Sequence, residues 1–156
     1  MSWLDLAVAL VAPFEGCAKR VGGMIYPYLD KLAKPPVWTR GYGRTFDISE
    51  HSPGITLDEA KRELGEGLSN YGKKVLTYSP GLIEKPGCLA AVTSWAWNCG
   101  TGAYKVSRLR KAIDEGRWYD ASELIKKPNT AGGVVYAGLS RRRNTEWARF
   151  VLGLGD

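Results

Sequence analysis

Trp38-Thr39-Arg40-Gly41-Tyr42-Gly43-Arg44-Thr45 decides how this chain reads. Its two glycines flank a tyrosine and break any helical period, so the stretch predicts a strand leading into a turn with close backbone approach. Working outward, Asp30 lies nine residues before Thr39, and Glu15 lies fifteen before Asp30. Trp3, Leu6, Ala7, Leu10, Val11 and Phe14 recur at helical spacing, with Pro13 near the end of the run and Gly16 just after it. Glu15 therefore falls at a helix C-terminus, where the macrodipole disfavours negative charge. That suits a group whose task is to deliver a proton. Two carboxylates and a hydroxyl gathered by a glycine-punctuated hairpin suit the hydrolysis of a glycosidic bond. One carboxyl protonates the leaving oxygen while the other supports attack on the opposite face.

The flanking sequence predicts an α+β protein, mostly helical, with one small antiparallel sheet near the N-terminus. Val21 to Ser52 is rich in Gly, Pro, Tyr and β-branched residues and reads as short strands. Thr56-Leu57-Asp58-Glu59 is a capping box opening a helix that runs toward Tyr71. Further helices are expected from Pro86 to Cys99, from Ser107 to Glu115, and from Trp118 to Lys127, where Pro128 stops the element. Asn129 to Gly138 reads as a glycine-rich loop, and Ser140 as the cap of a last helix with Trp147, Phe150 and Val151 on its apolar side.

Composition narrows the function classes. The 156 residues are 44% hydrophobic, enough for a core and unlike a disordered chain. No apolar run reaches the ~18 residues of a membrane span. Leu4–Val11 is interrupted by Asp5 and has no basic leader, so it is not read as a signal peptide. Cys17, Cys88 and Cys99 are an odd set without paired spacing, which argues against a disulfide framework. With His51 the sole histidine, no metal site is expected. The net charge is +6, and from Ala103 onward eleven Lys/Arg face six Asp/Glu. Such a surface favours polyanions: nucleic acid, anionic lipid or an acidic cell wall. No nucleic-acid-binding signature accompanies the charge, so no nucleic acid partner is expected.

Phe14-Glu15-Gly16, Tyr28-Leu29-Asp30, Trp38 to Thr45, Ser94-Trp95-Ala96-Trp97-Asn98-Cys99-Gly100, Gly116-Arg117-Trp118 and Gly138 to Glu146 follow one another in a familiar order. Together they resemble the phage-type lysozymes, the glycoside hydrolase family 24 endolysins, across nearly the whole chain. The resemblance implies a lysozyme-like fold: a small N-terminal β-sheet lobe and a larger C-terminal helical lobe, joined by a helix, with an active-site cleft between. Residues 1–156 would form one catalytic domain, with the hairpin lobe at 15–55, the linking helix at 56–72 and the helical lobe at 73–156.

Carried over by position, Glu15 is the general acid, Asp30 the second carboxylate, and Thr39 the group that orients water or steadies Asp30. Arg142 is the basic partner implied to steady Glu15, while Arg141 and Arg143 are expected to face solvent. Tyr42 either stacks on a sugar or fills the sheet. Asn98 either binds substrate or caps a helix end. Of Trp95 and Trp97, one is core and the other lines the cleft or packs between lobes. The implied substrate is peptidoglycan, with no cofactor. The implied protein is a monomer held in the host cytoplasm until a holin releases it to the wall or periplasm. The match departs from the family in its longer Glu15–Asp30 and Asp30–Thr39 spacings and in Arg40, where the family carries an aliphatic residue. Asp47 is the fallback carboxylate. The rival readings are a lytic transglycosylase, an inactive lysozyme-like wall-binding protein and a basic nucleic-acid module.

Overall fold

The computed structural model describes residues 1–127, 130–131 and 133–156, with the backbone alone considered at 130 and 131. The expected stop at Pro128, and the Asn129 and Gly132 portions of the expected loop, lie outside the described residues. The architecture is α+β and lysozyme-like. The chain divides into two compact units, one of Met1–Leu10 with Leu68–Asp156, the other of Val11–Gly67.

Helix α1 spans Trp3–Glu15, with Pro13 in its last turn and Gly16 in the left-handed region just beyond. In the unit of Val11–Gly67, strand β1 (Arg20–Val21) pairs with β2 (Met24–Ile25), and β3 (Tyr28–Asp30) pairs with β4 (Val37–Thr39), both antiparallel. The strands form two separate ribbons rather than the single sheet expected. Single bridges join Ile25 to Ile55 and Arg40 to Arg44. Ile25, Ile55 and Ala60 make a small core, against which Cys17, Tyr42 and Leu57 pack. Gly41 (φ +65°) lies against Ala60, where a Cβ would sit 3.3 Å from the alanine methyl. This is the close backbone approach that the sequence predicts there.

Helix α2 spans Leu57–Tyr78. Its capping box is reciprocal. The Thr56 N–H donates to Glu59 Oε2 (2.8 Å) and the Glu59 N–H to Thr56 Oγ1 (3.2 Å). The helix runs past the expected Tyr71, because buried Val75 continues its apolar face. Gly72 leaves room for the Trp3 ring, which a Cβ there would strike.

The larger unit is built on α3 (Pro86–Cys99), which is buried from Gly87 to Ala96. After it come α4 (Thr101–Lys105), α5 (Arg108–Asp114) and α6 (Trp118–Ile125). Gly100 ends α3 as expected, but Thr101 at once opens α4, a turn the sequence reading did not foresee. A ribbon of β5 (Thr130–Ala131) and β6 (Val134–Val135) precedes α7 (Ala137–Gly153). Helix α7 starts after Tyr136, so Ser140 lies inside its first turns and is not its cap. Helices α3 and α7 touch where neither has a side chain. A Cβ on Gly87 would meet the Gly153 Cα at 2.7 Å, and one on Gly153 would strike the backbone of Gly87 and Cys88. Leu82, Leu89, Val92, Trp95, Tyr104 and Phe150 fill the core around this crossing. Val151, expected on the apolar side of α7, is exposed instead.

Candidate active site

Helix α1 delivers Glu15 as its last residue, half-buried. Asp30 closes β3, and its Oδ1 accepts the Leu32 N–H at 3.0 Å, which orients the carboxylate at the start of the loop to β4. Thr39 closes β4 and is only 3% exposed. Its hydroxyl donates to the Val37 carbonyl at 3.3 Å.

The register fixes how the two β residues relate. Thr39 pairs with Tyr28, and Asp30 with Val37. Paired residues share a face and side chains alternate along each strand. Asp30 and Thr39 therefore lie on one face of the ribbon, as diagonal neighbours. Desolvation and the nearby Asp30 charge raise Tyr28 above the ordinary tyrosine value.

The turn after Thr39 is anchored from both sides. Its backbone closes through Arg40 N–H to the Arg44 carbonyl (2.9 Å) and the reverse bond (3.1 Å). Its side chains reach α2, where Arg40 Nη2 donates to Glu63 Oε1 (2.7 Å) and Arg44 Nη1 to the same oxygen (3.0 Å). Arg40 Nη1 also donates to the Pro53 carbonyl at 2.9 Å. Tyr42, half-buried, packs against the Ile25–Ile55–Ala60 core. Asp47 lies in the loop beyond, at positive φ, beside an open concavity of about 480 Å³ lined by Ser49, His51 and Pro53.

The other predicted residues belong to the larger unit. Arg142 is buried, and its Nε donates to Glu146 Oε1 (3.2 Å) while Nη2 reaches the Ser94 carbonyl (3.3 Å). Asn98 is exposed at the end of α3, and its Oδ1 accepts from Arg143 Nη2 at 2.7 Å. Arg143 corrects the sequence expectation. It is fully buried rather than solvent-facing, with Nε 3.0 Å from Glu146 Oε2 and Nη1 donating to Cys99 Sγ at 2.9 Å. Arg141 is exposed as expected.

Glu146 is the residue that sequence reasoning passed over. The carboxylate is fully buried between two guanidiniums and accepts the Ser94 hydroxyl at 2.6 Å. Burial pushes it above the usual carboxylate range, against the pull of Arg143, the Ser94 hydroxyl and Arg142. Its i+3 and i+4 spacing from Arg143 and Arg142 was the available signal. Trp95 is the core member of its pair, and Trp97 meets Tyr71 in a tilted contact, with ring centroids 4.9 Å apart and the planes at 59°. The three thiols are free. Among the described residues, no group of His, Cys, Asp and Glu is arranged to hold a metal ion, and no helix is long and apolar enough to cross a membrane.

This is a lysozyme-like α+β protein with carboxylates at the end of its first helix and on its second ribbon. The solved structures similar to it include the muramidase domain of SpmX from Asticaccaulis excentricus (TM-score 0.77, 25% identity, 93% of this chain and 94% of that one). Another is the active form of the P1 phage endolysin Lyz (TM-score 0.75, 20% identity, 96% and 85%), which supports the fold alone. In sequence the chain is 27% identical to a SAR-endolysin of Haemophilus phage HP1, over 91% of this chain and 77% of that protein. It is 40% identical to an endolysin of Bacillus phage B103 over 68% of this chain, but spans only 37% of that relative. The phage lysozyme family model matches residues 14–146, and the chain belongs to that family. It is accordingly a glycoside hydrolase of the lysozyme class.

Proposed function

We propose that the chain is an endolysin that hydrolyses the β-1,4 bond between N-acetylmuramic acid and N-acetylglucosamine in peptidoglycan, with Glu15, Asp30 and Thr39 as its catalytic residues. The observation that carries the reading is the strand register, which sets Asp30 and Thr39 on one face of the β3–β4 ribbon. The family match begins at residue 14, immediately before the helix-terminal Glu15.

Glu15 gives its proton to the glycosidic oxygen as the bond from that oxygen to C1 breaks and the ring takes on oxocarbenium character. Asp30 and Thr39 hold a water against C1, and Asp30 accepts its proton as the new C1–O bond forms. That route inverts the anomeric centre, the outcome the resemblance implies. Arg142, ion-paired with Glu146, is the supporting cationic partner of the acid. Residues 1–156 act as one catalytic domain and as a monomer. A holin carries out release to the wall.

The test is clearing of outer-membrane-permeabilised Gram-negative cells by wild type, Glu15→Gln and Asp30→Asn. Wild type clears the suspension, and Glu15→Gln does not. Clearing by Asp30→Asn at the wild-type rate moves the second role to Thr39 or Asp47. Anhydromuramic ends in the products replace hydrolysis with transglycosylation. No clearing by folded wild type removes the proposal.

A further inference from the structure

We infer that the α5–α6 face is a second binding site, for a phosphodiester polymer of the cell envelope, separate from the catalytic residues. The sequence from Lys105 to Lys127 carries seven bases and four acids. The structure consumes all four acids locally. Asp114 pairs with Arg110 (3.2 Å), Glu115 and Asp120 both pair with Arg117 (2.7 and 2.9 Å), and Glu123 pairs with Lys126 (3.0 Å). Among the described residues, Lys105, Arg108, Lys111 and Lys127 have no carboxylate partner.

Those four cations are not spread at random over the surface. Arg108, Lys111 and Lys127 line one concavity of about 360 Å³, with Leu124 and the paired Arg117, Asp120 and Glu123 also in its wall. Arg108 and Lys111 also line a second concavity of about 360 Å³, with Lys105, Val106 and the paired Arg110, Asp114 and Glu115. The two hollows thus share a pair of bases and lie on either side of them. Three of the four cations stand on short helices or their ends, Arg108 and Lys111 on α5 and Lys105 on α4, which fixes their spacing.

The chemistry selects the occupant. A guanidinium takes a phosphate through two parallel N–H bonds, and lysines add point charges beside it. A narrow flexible chain can dip into neighbouring hollows that a flat bilayer surface would bridge. Leu124 and Val106 offer apolar contact to the methylene groups between phosphates. Choosing an envelope polymer over another polyphosphodiester rests on the proposed action at the wall, where such a site would hold the enzyme on an insoluble substrate.

The test titrates poly(glycerol phosphate) into Glu15→Gln protein, so that binding is read without turnover and independently of whether Glu15 is the acid. Arg108→Glu/Lys111→Glu/Lys127→Glu is compared with Lys61→Glu/Lys73→Glu/Lys74→Glu, an equal charge change at exposed positions on α2. Circular dichroism checks that both variants are folded. The proposal expects binding weakened about tenfold or more by the first variant, little changed by the second, and lost as salt screens the site. Equal weakening by both variants reduces the effect to net charge and overturns the site. So does unchanged binding by the first. Duplex DNA bound as tightly at equal phosphate, with the same dependence on the three residues, overturns the envelope assignment. Cell clearing by the two variants in an otherwise wild-type background is read separately and bears on the catalytic proposal.

Discussion

Arg40 Nη2 donates to Glu63 Oε1 at 2.7 Å, and Arg44 brings a second guanidinium to the same oxygen at 3.0 Å. One carboxylate on α2 thereby fixes both ends of the turn that follows Thr39. The two partners are not equivalent. Removing Glu63 leaves Arg40, at 7% exposure, as an uncompensated buried charge, whereas removing Arg40 leaves Glu63 still paired. Glu63→Ala is expected to cost about 3 kcal/mol and Arg40→Leu only about 1 kcal/mol, read from urea unfolding midpoints at constant m. Equal losses would show that the pair is worth no more than its packing.

Thr39 is proposed to position water, and its burial next to a fixed turn makes that role sensitive to small changes. Thr39→Ser keeps the hydroxyl and is expected to retain most turnover. Thr39→Ala is expected to lower kcat roughly 10²-fold with KM little changed. Both variants should unfold near the wild-type temperature. A matched rise in KM instead would assign Thr39 to substrate binding.

Two buried groups set an alkaline limit on stability. Burial pushes the Cys88 thiol from 9.0 to about 12 and the Tyr104 phenol from 10.0 to about 12, the latter despite its hydrogen bond to Ser79. Both are neutral at low pH, and their folded values lie above their unfolded ones. Their contribution is therefore complete below the unfolded values and is lost as pH rises through about 12. Over that window the shifts correspond to about 4 kcal/mol for Cys88 and about 3 kcal/mol for Tyr104. Unfolding free energy should fall steeply from about pH 9 upward, with the tyrosine share of the slope absent in Tyr104→Phe. A flat profile up to pH 12 in wild type would contradict this.

The α3–α7 crossing has no room for a methyl group. A Cβ on Gly153 strikes the backbone of Gly87 and Cys88, which no side-chain rotation relieves. Gly153→Ala is expected to cost about 2–3 kcal/mol. Gly102→Ala, where a Cβ meets nothing within 4 Å, serves as the helical control and should be neutral or slightly stabilising.

What was legible in the sequence was local. The Thr56–Glu59 box could be read because both partners sit within one turn. Glu15 at the end of α1 could be read from helical spacing and the glycine that follows it. The sequence carries α2 toward Tyr71 and no further, whereas Gly72 lies inside the helix and is small to admit a tryptophan ring from far along the chain. Arg143 looked like one member of a solvated run. Its burial depends on Asn98 and Cys99, 45 and 44 residues away, which periodicity does not report. The order of family motifs pointed to Asp30 and Thr39. Their shared face came from strand register, which the lengthened spacing left open in the sequence.

The bond from Ser94 to Glu146 spans 52 residues and is buried at both ends. During synthesis α4 to α6 supply part of the apolar cover of α3, but the carboxylate that the buried Ser94 hydroxyl meets arrives only with α7. Chain closure over such a separation is slow relative to local helix formation. The helical unit is therefore completed only when α7 has emerged and folded back. Until then the nascent chain leaves the side of α3 that meets Phe150 and Gly153 uncovered, the state most exposed to chaperones and proteases.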